Sequence, residues 1–131
     1  MQPSASDWVV RAGAASADFL IRGYTEHTRA RGVFGFSVQS APGKTVAELA
    51  HVGQFPNRQV SYATVGALQA AVQTLGYQIR LIRTPGVGFH HTLTVLYDAS
   101  GAMLQTLPRD AAIAISNTFQ RIPNPFPYPT P

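Results

Sequence analysis

The chain has 131 residues, of which 45% are hydrophobic and 12% are charged, and its ten Lys or Arg residues outnumber six Asp or Glu residues. This length predicts one domain with a buried core, and the absence of cysteine excludes disulfides, thiolate catalysis and cysteine-based metal sites. No run reaches the roughly 18 apolar residues of a membrane span, and the first residues lack a secretory pattern. We therefore expect a cytoplasmic protein, in its own cell or in a neighbour, with no membrane partner.

The basic residues are almost all arginine, and Lys44 is the single lysine. The planar guanidinium binds phosphates and carboxylates through two parallel hydrogen bonds. The composition therefore predicts an anionic partner such as a nucleotide or a nucleic acid. A GC-rich genome would produce the same bias, so the composition alone leaves both explanations open.

The first elements are short. Residues 8–11 are apolar and predict a strand, and the Ala-rich stretch 12–21 predicts a loop and a short helix. Residues 23–32 are mostly polar and predict a surface loop. Residues 33–39 alternate in polarity and carry two aromatic side chains, which is typical of a strand.

The middle of the chain contains the clearest helix. Thr45 with Glu48 three residues later fits the capping box of a short helix over residues 46–51. Residues 59–63 predict a strand. In residues 65–75 apolar side chains recur at helical spacing, between a capping threonine and a terminal glycine, so this segment predicts the best helix.

The second half predicts a strand pair and a last helix. Residues 77–83 and 89–97 read as strands because of their alternation and β-branched content. Residues 98–101 predict a turn, after which 102–106 pair back as a hairpin. The last helix spans 108–119, with proline at its first position.

The final segment has proline at every second position from Pro123 to Pro131. Proline neither continues a helix nor donates to a β-ladder, so this tail is predicted to be extended. It is interpreted as a packed strap, as disorder, or as a peptide for a proline-binding partner. The chain as a whole predicts a single α+β domain over 1–122, with a mixed or mostly antiparallel sheet and about three helices, followed by the tail 123–131.

Two adjacent histidines stand in the predicted strand 89–97. Because neighbours on a strand point to opposite faces, His90 and Thr92 share one face and His91 occupies the other. An imidazole exchanges a proton near neutral pH, and a nearby hydroxyl orients it or binds an anion. The pattern therefore predicts His90 and Thr92 as catalytic residues facing a cleft. The alternative is that all three are ordinary sheet residues.

Several short motifs follow one another over nearly the whole chain. They are residues 10–13 (Val-Arg-Ala-Gly) with 17–19 (Ala-Asp-Phe) after them, 36–44 (Phe-Ser-Val-Gln-Ser-Ala-Pro-Gly-Lys), 55–60 (Phe-Pro-Asn-Arg-Gln-Val), 64–66 (Thr-Val-Gly), Pro85 with 89–93 (Phe-His-His-Thr-Leu), and 123–125 (Pro-Asn-Pro). In this order they resemble the C-terminal toxin domains of large bacterial secreted proteins, notably Rhs-type polymorphic toxins. The resemblance implies action in the cytoplasm of a target cell. It also implies an immunity protein as partner, which we expect to be acidic and to cover the cleft.

The first two motifs also resemble the opening motifs of ADP-ribosyltransferases. In that group an arginine on the first strand holds a phosphate or ribose of NAD, and a serine-bearing strand supports the nicotinamide pocket. The resemblance implies NAD as substrate, Arg11 as a binding and catalytic residue, and Gly13, Ser37 and Ser40 in the cofactor site. Such enzymes typically end with a catalytic glutamate. No glutamate follows Glu48 here, so His90 would take that role.

Three functions are therefore weighed. The first is an ADP-ribosyltransferase acting on a protein or RNA target. The second is a metal-independent ribonuclease that uses His90 as general acid or base, with Arg11 or Arg83 stabilising the phosphorane. The third is a non-catalytic binding module. A metal site is not expected, because the four histidines lack a ligand spacing. A cleft shared by Arg11, Ser37 and His90 would favour NAD chemistry, and a broad arginine-rich surface would favour RNA cleavage.

Overall fold

One antiparallel sheet organises the computed structural model, which describes residues 2–31 (27–31 as backbone only), 34–53, 55, 57–97 and 100–125. In that part of the chain the sheet has six strands, in the order β4-β5-β2-β1-β3-β6, and every pair is antiparallel. The strands are β1 (Trp8–Ala12), β2 (Phe36–Ser40), β3 (Gln59–Thr64), β4 (Tyr77–Arg83), β5 (His90–Tyr97) and β6 (Gln120–Pro123).

Helices cover both faces of this sheet. Val9 and Val10 are neighbours on β1 yet belong to different buried clusters, so each face has its own core. Helices α1, α3 and α4 pack on the larger core and α2 packs on the smaller one. The helices are α1 (Ala17–Arg31), α2 (Val46–Gly53), α3 (Val65–Gln73) and α4 (Arg109–Thr118). The predicted single α+β domain is confirmed, with four helices where about three were expected.

The predicted surface loop over 23–32 is wrong, because α1 runs through it from Ala17 to Arg31. Leu20 and Tyr24 lie one helical turn apart and are fully buried, and the Tyr24 hydroxyl donates to the carbonyl oxygen of Leu104 at 2.7 Å. A narrow apolar stripe is enough to pack an otherwise polar helix on a sheet when its few large side chains reach the core. The polar composition of the segment concealed that stripe.

The other elements follow the sequence more closely. The capping box is present, since the amide of Glu48 donates to Thr45 Oγ1 and the amide of Thr45 donates to Glu48 Oε1, both at 3.1 Å. The predicted hairpin over 102–106 reduces to an isolated bridge between Leu96 and Met103. Strand β6 was not predicted. Residues 98 and 99 of the predicted turn and residues 126–131 of the predicted tail lie outside the described residues.

Candidate functional site

The sheet opens between its two central strands. β1 and β2 pair only at Val9 with Ser40 and at Val10 with Gln39. Beyond that point β1 stays with β3 through Ala12, and β2 stays with β5 back to Phe36. The sheet therefore divides into two three-stranded halves that are joined at one end and separated at the other.

Arg11 enters this opening. Its Nη1 donates to the main-chain carbonyl of Ser37 at 2.6 Å, so the side chain bridges the gap between β1 and β2. Its guanidinium carbon lies 5.0 Å from the centre of the Phe36 ring. Burial lowers the pKa of the Arg11 guanidinium to about 10, which still leaves it charged at neutral pH. Among the described side chains no carboxylate forms an ion pair with it. A desolvated cation without a carboxylate partner is suited to bind an anion.

A cavity of about 320 Å³ lies at the opening, and Arg11, Ser37 and His90 all line it. The register of β2 against β5 pairs Gln39 with His90 and Ser37 with Thr92, so the side chains of all four share one face. Loop residues after α2 close the cavity on the other side, where Phe55 lies against Gly53. The two residues implied by the resemblance and the histidine predicted from the strand pattern therefore lie together.

His90 is held by Thr84, which follows β4. The Thr84 hydroxyl and His90 Nδ1 are 2.5 Å apart, and the Thr84 amide donates to the His90 carbonyl oxygen at 3.0 Å. A hydrogen bond at Nδ1 fixes the ring orientation. When Nδ1 carries the proton and donates it to Thr84 Oγ1, Nε2 keeps its lone pair and is able to accept a proton.

His91 faces the larger core, as the alternation predicts. It is 3% exposed, and its Nδ1 lies 2.9 Å from the carbonyl oxygen of Phe89, to which it donates. Its Nε2 is buried without a hydrogen-bond partner in the described structure. Burial lowers the pKa of His91, and the charge of Arg83 acts in the same direction, whereas the bond to Phe89 opposes it.

This lowered pKa predicts a pH dependence of stability. Below about pH 6.5 the unfolded His91 takes up a proton that the folded protein resists, so the free energy of unfolding falls as the pH drops. We expect the wild type to lose stability from pH 7 to pH 5, by at most about 1.4 kcal/mol per pH unit for one proton. His91→Phe should have a shallower slope in urea unfolding at these pH values. Equal slopes in both proteins would contradict the assignment.

The other predicted site residues lie apart from the cavity. Thr92 is 2% exposed, and its Cγ2 methyl packs so closely on Gly35 that a Cβ there would lie 2.5 Å from it. Ser40 is fully buried, and its hydroxyl donates to the carbonyl oxygen of Trp8 at 2.7 Å. Gly13 has a φ of 69° and lines a neighbouring cavity on the α1 side of Arg11. The structure thus brings together Arg11, Ser37 and His90 but not these three residues.

Sequence reasoning missed Phe55, which lines this cavity, and Asn57, which lines the neighbouring one. Phe55 and Asn57 are held by Asn124, which follows β6 and is 7% exposed. Its side-chain amide donates to the carbonyl oxygens of Phe55 at 3.0 Å and of Asn57 at 2.9 Å. Its backbone amide donates to the carbonyl oxygen of Arg58 at 2.7 Å. Asn124 thus joins the end of β6 to the loop that carries Phe55. The motif 123–125 gave no indication of this role.

Comparison of the chain with protein-family models, with curated proteins and with solved structures finds no match. Among the described residues, no three His, Asp or Glu side chains lie close enough to hold a metal ion. Over the same residues, none of the helices combines the length and apolar character that crossing a bilayer requires. The site is therefore interpreted from its own geometry.

Proposed function

We propose that this chain is an ADP-ribosyltransferase that transfers ADP-ribose from NAD to a protein or RNA target. The observation that carries the proposal is the single cavity lined by Arg11, Ser37 and His90 at the opening of the sheet. The resemblance to Rhs-type toxins extends the proposal to a bacterial effector with an immunity protein as partner.

Arg11 binds the pyrophosphate of NAD in this proposal. Its charge is already desolvated, and within the described part of the chain the hydrogen bond that it donates is the one from Nη1 to Ser37. Adding a phosphate therefore supplies a missing partner rather than displacing one. The Ser37 hydroxyl orients the ribose, and the Phe55 ring provides a flat apolar wall against which the nicotinamide packs.

The chemical step breaks the bond between ribose C1′ and the nicotinamide nitrogen. The electron pair stays with nicotinamide, which leaves as a neutral molecule. A nucleophilic oxygen or nitrogen of the target forms the new bond to C1′, and its proton passes to His90 Nε2. The transition state is cationic, so orienting the ribose and the nucleophile matters more than a strong base.

No carboxylate is found among the described residues that line the cavity. His90 is the imidazole among the described lining residues, and in this proposal it takes the place of the glutamate that ADP-ribosyltransferases typically use. The contact with Thr84 supports this substitution, because Nε2 is able to accept the proton when Nδ1 donates to Thr84 Oγ1.

The test incubates the full chain and a bacterial lysate with NAD labelled in its adenylate phosphate. We expect label on protein or RNA, and protease and nuclease digestion then identify the acceptor. His90→Ala should lower the rate of labelling by about a hundredfold or more, which is typical for loss of a general base. His51→Ala is the matched control, because His51 is exposed on α2 and does not line the cavity.

Each other result rejects the proposal in favour of an alternative. Fragmented RNA without label would identify a ribonuclease, and loss of fragmentation in His90→Ala would assign the same histidine to it. If neither label nor RNA fragments are found, the non-catalytic binding module is the function that remains.

A further inference from the structure

A second cavity lies on the other side of Arg11, between the end of β1 and helix α1. Its volume is about 260 Å³, and it shares Arg11 and Ala12 with the first cavity. Phe19, Arg22 and Glu26 line it from α1. The transfer step uses none of these three side chains.

The helix is shaped to keep Arg11 between the two cavities. Gly23 lies one turn after Phe19, and a Cβ at this position would lie 2.8 Å from Arg11 Nη2. Glycine inside a helix lowers its stability by roughly 0.5–1 kcal/mol relative to alanine. Helix α1 carries this cost at Gly23, where the Arg11 side chain needs the space. The guanidinium thereby borders both cavities, and an anion bound to it is within reach of groups that occupy either one.

The second cavity offers an aromatic face and a carboxylate. Phe19 is 50% exposed, and the Arg22 guanidinium carbon lies 5.8 Å from its ring centre. An exposed aromatic ring backed by arginine provides a stacking surface for a nucleobase. Glu26 is exposed on the same wall. A carboxylate is the group that accepts hydrogen bonds from both hydroxyls of a ribose.

We infer that this second cavity holds the adenosine half of NAD, with adenine on Phe19 and the ribose hydroxyls on Glu26. The pyrophosphate then lies on Arg11, between the two cavities, and the nicotinamide half enters the first. The inference rests on the proposed function, because it divides the same dinucleotide across Arg11. The α1 residues that line the second cavity would then bind a purine nucleoside whose phosphate lies on Arg11.

Glu26 also gives the cavity a preference between dinucleotides. The 2′-phosphate of NADP would place negative charge against this carboxylate, and like charges in contact oppose binding strongly. We expect NAD to bind at least about tenfold more tightly than NADP. Glu26→Gln should reduce that ratio, because the amide keeps the size of the side chain and removes its charge.

The experiment measures dissociation constants by calorimetry for NAD, NADP, AMP and nicotinamide mononucleotide. Phe19→Ala should weaken NAD and AMP by roughly tenfold or more, as expected for the loss of one base–aromatic stack. Nicotinamide mononucleotide should bind both proteins equally. Asp18→Asn is the matched control for Glu26→Gln, because Asp18 is an exposed α1 carboxylate that pairs with Arg109 and does not line the second cavity.

The outcomes separate this inference from the proposed function. If NAD binds the wild type, Phe19→Ala and Glu26→Gln equally well, the adenosine site is wrong and the transferase proposal stands. If NAD fails to bind while AMP binds in a Phe19-dependent way, the adenosine site stands and the transferase proposal fails. If neither ligand binds the folded wild type, both are wrong.

Discussion

Arg11→Met should weaken NAD binding by about a hundredfold while leaving the protein folded. The variant removes charge-assisted hydrogen bonds to the pyrophosphate, and a hundredfold change in Kd corresponds to about 2.7 kcal/mol. Methionine keeps an apolar stem against Phe36, and removing a desolvated charge offsets the lost bond to Ser37. We therefore expect the Tm to change by no more than about 3 °C. Calorimetry with NAD and thermal unfolding measure the two quantities.

Arg80→Met is the control for the change in net charge. Arg80 is exposed on β4 and lines neither cavity, so its loss should alter neither the NAD affinity nor the Tm appreciably. A large fall in the Tm of Arg11→Met with unchanged NAD affinity would make Arg11 a structural residue that holds the two halves of the sheet together. That result would remove the anion site on which the transferase proposal depends.

Asn124→Asp should lower the free energy of unfolding by about 3 kcal/mol. The variant replaces an amide that donates to two carbonyl oxygens by a carboxylate that has no proton to donate. At neutral pH a buried negative charge would then face the carbonyl oxygens of Phe55 and Asn57. We expect a decrease in Tm of roughly 10 °C for a domain of this size, together with weaker NAD binding because Phe55 is no longer held.

Asn117→Asp is the matched control, because Asn117 is exposed in the last turn of α4. The same chemical change should cost at most about 1 kcal/mol there, through the unfavourable charge at the end of the helix dipole. Equal losses in the two variants would show that the contacts of Asn124 contribute nothing beyond a surface effect. Urea unfolding at pH 7 distinguishes these results.

The sequence predicts the elements whose local signals agree. Strand β4 has the predicted bounds, because its alternation of apolar and polar residues is complete and a glycine and a proline flank it. Helix α3 begins at the predicted residue, since Thr64 Oγ1 accepts from the Ala67 amide at 3.1 Å. Such signals lie within a few residues of each other, so they are readable without tertiary structure.

Helix α1 shows where that reading fails and why. Gly23 suggests a break in a polar segment, yet its position is set by a partner 12 residues earlier in the chain, the guanidinium of Arg11. The same limit applies to the site. Arg11 and His90 are recognisable by residue type, but Phe55, Thr84 and Asn124 acquire their roles from contacts that local patterns do not encode. At Gly23, the space that Arg11 needs at the cleft outweighs the low helix propensity of glycine.

The hydrogen bonds of Asn124 also affect when the cavity becomes complete during synthesis of the chain. A ribosome delivers Arg11, Ser37 and His90 well before residue 124, so a nascent chain contains the reactive groups while the loop around Phe55 still lacks its anchor. Completion of the cavity therefore waits for the segment after α4 to leave the ribosome and pair with β3. For the proposed effector, this delay would shorten the time for which a producing cell is exposed to active toxin before the immunity protein binds.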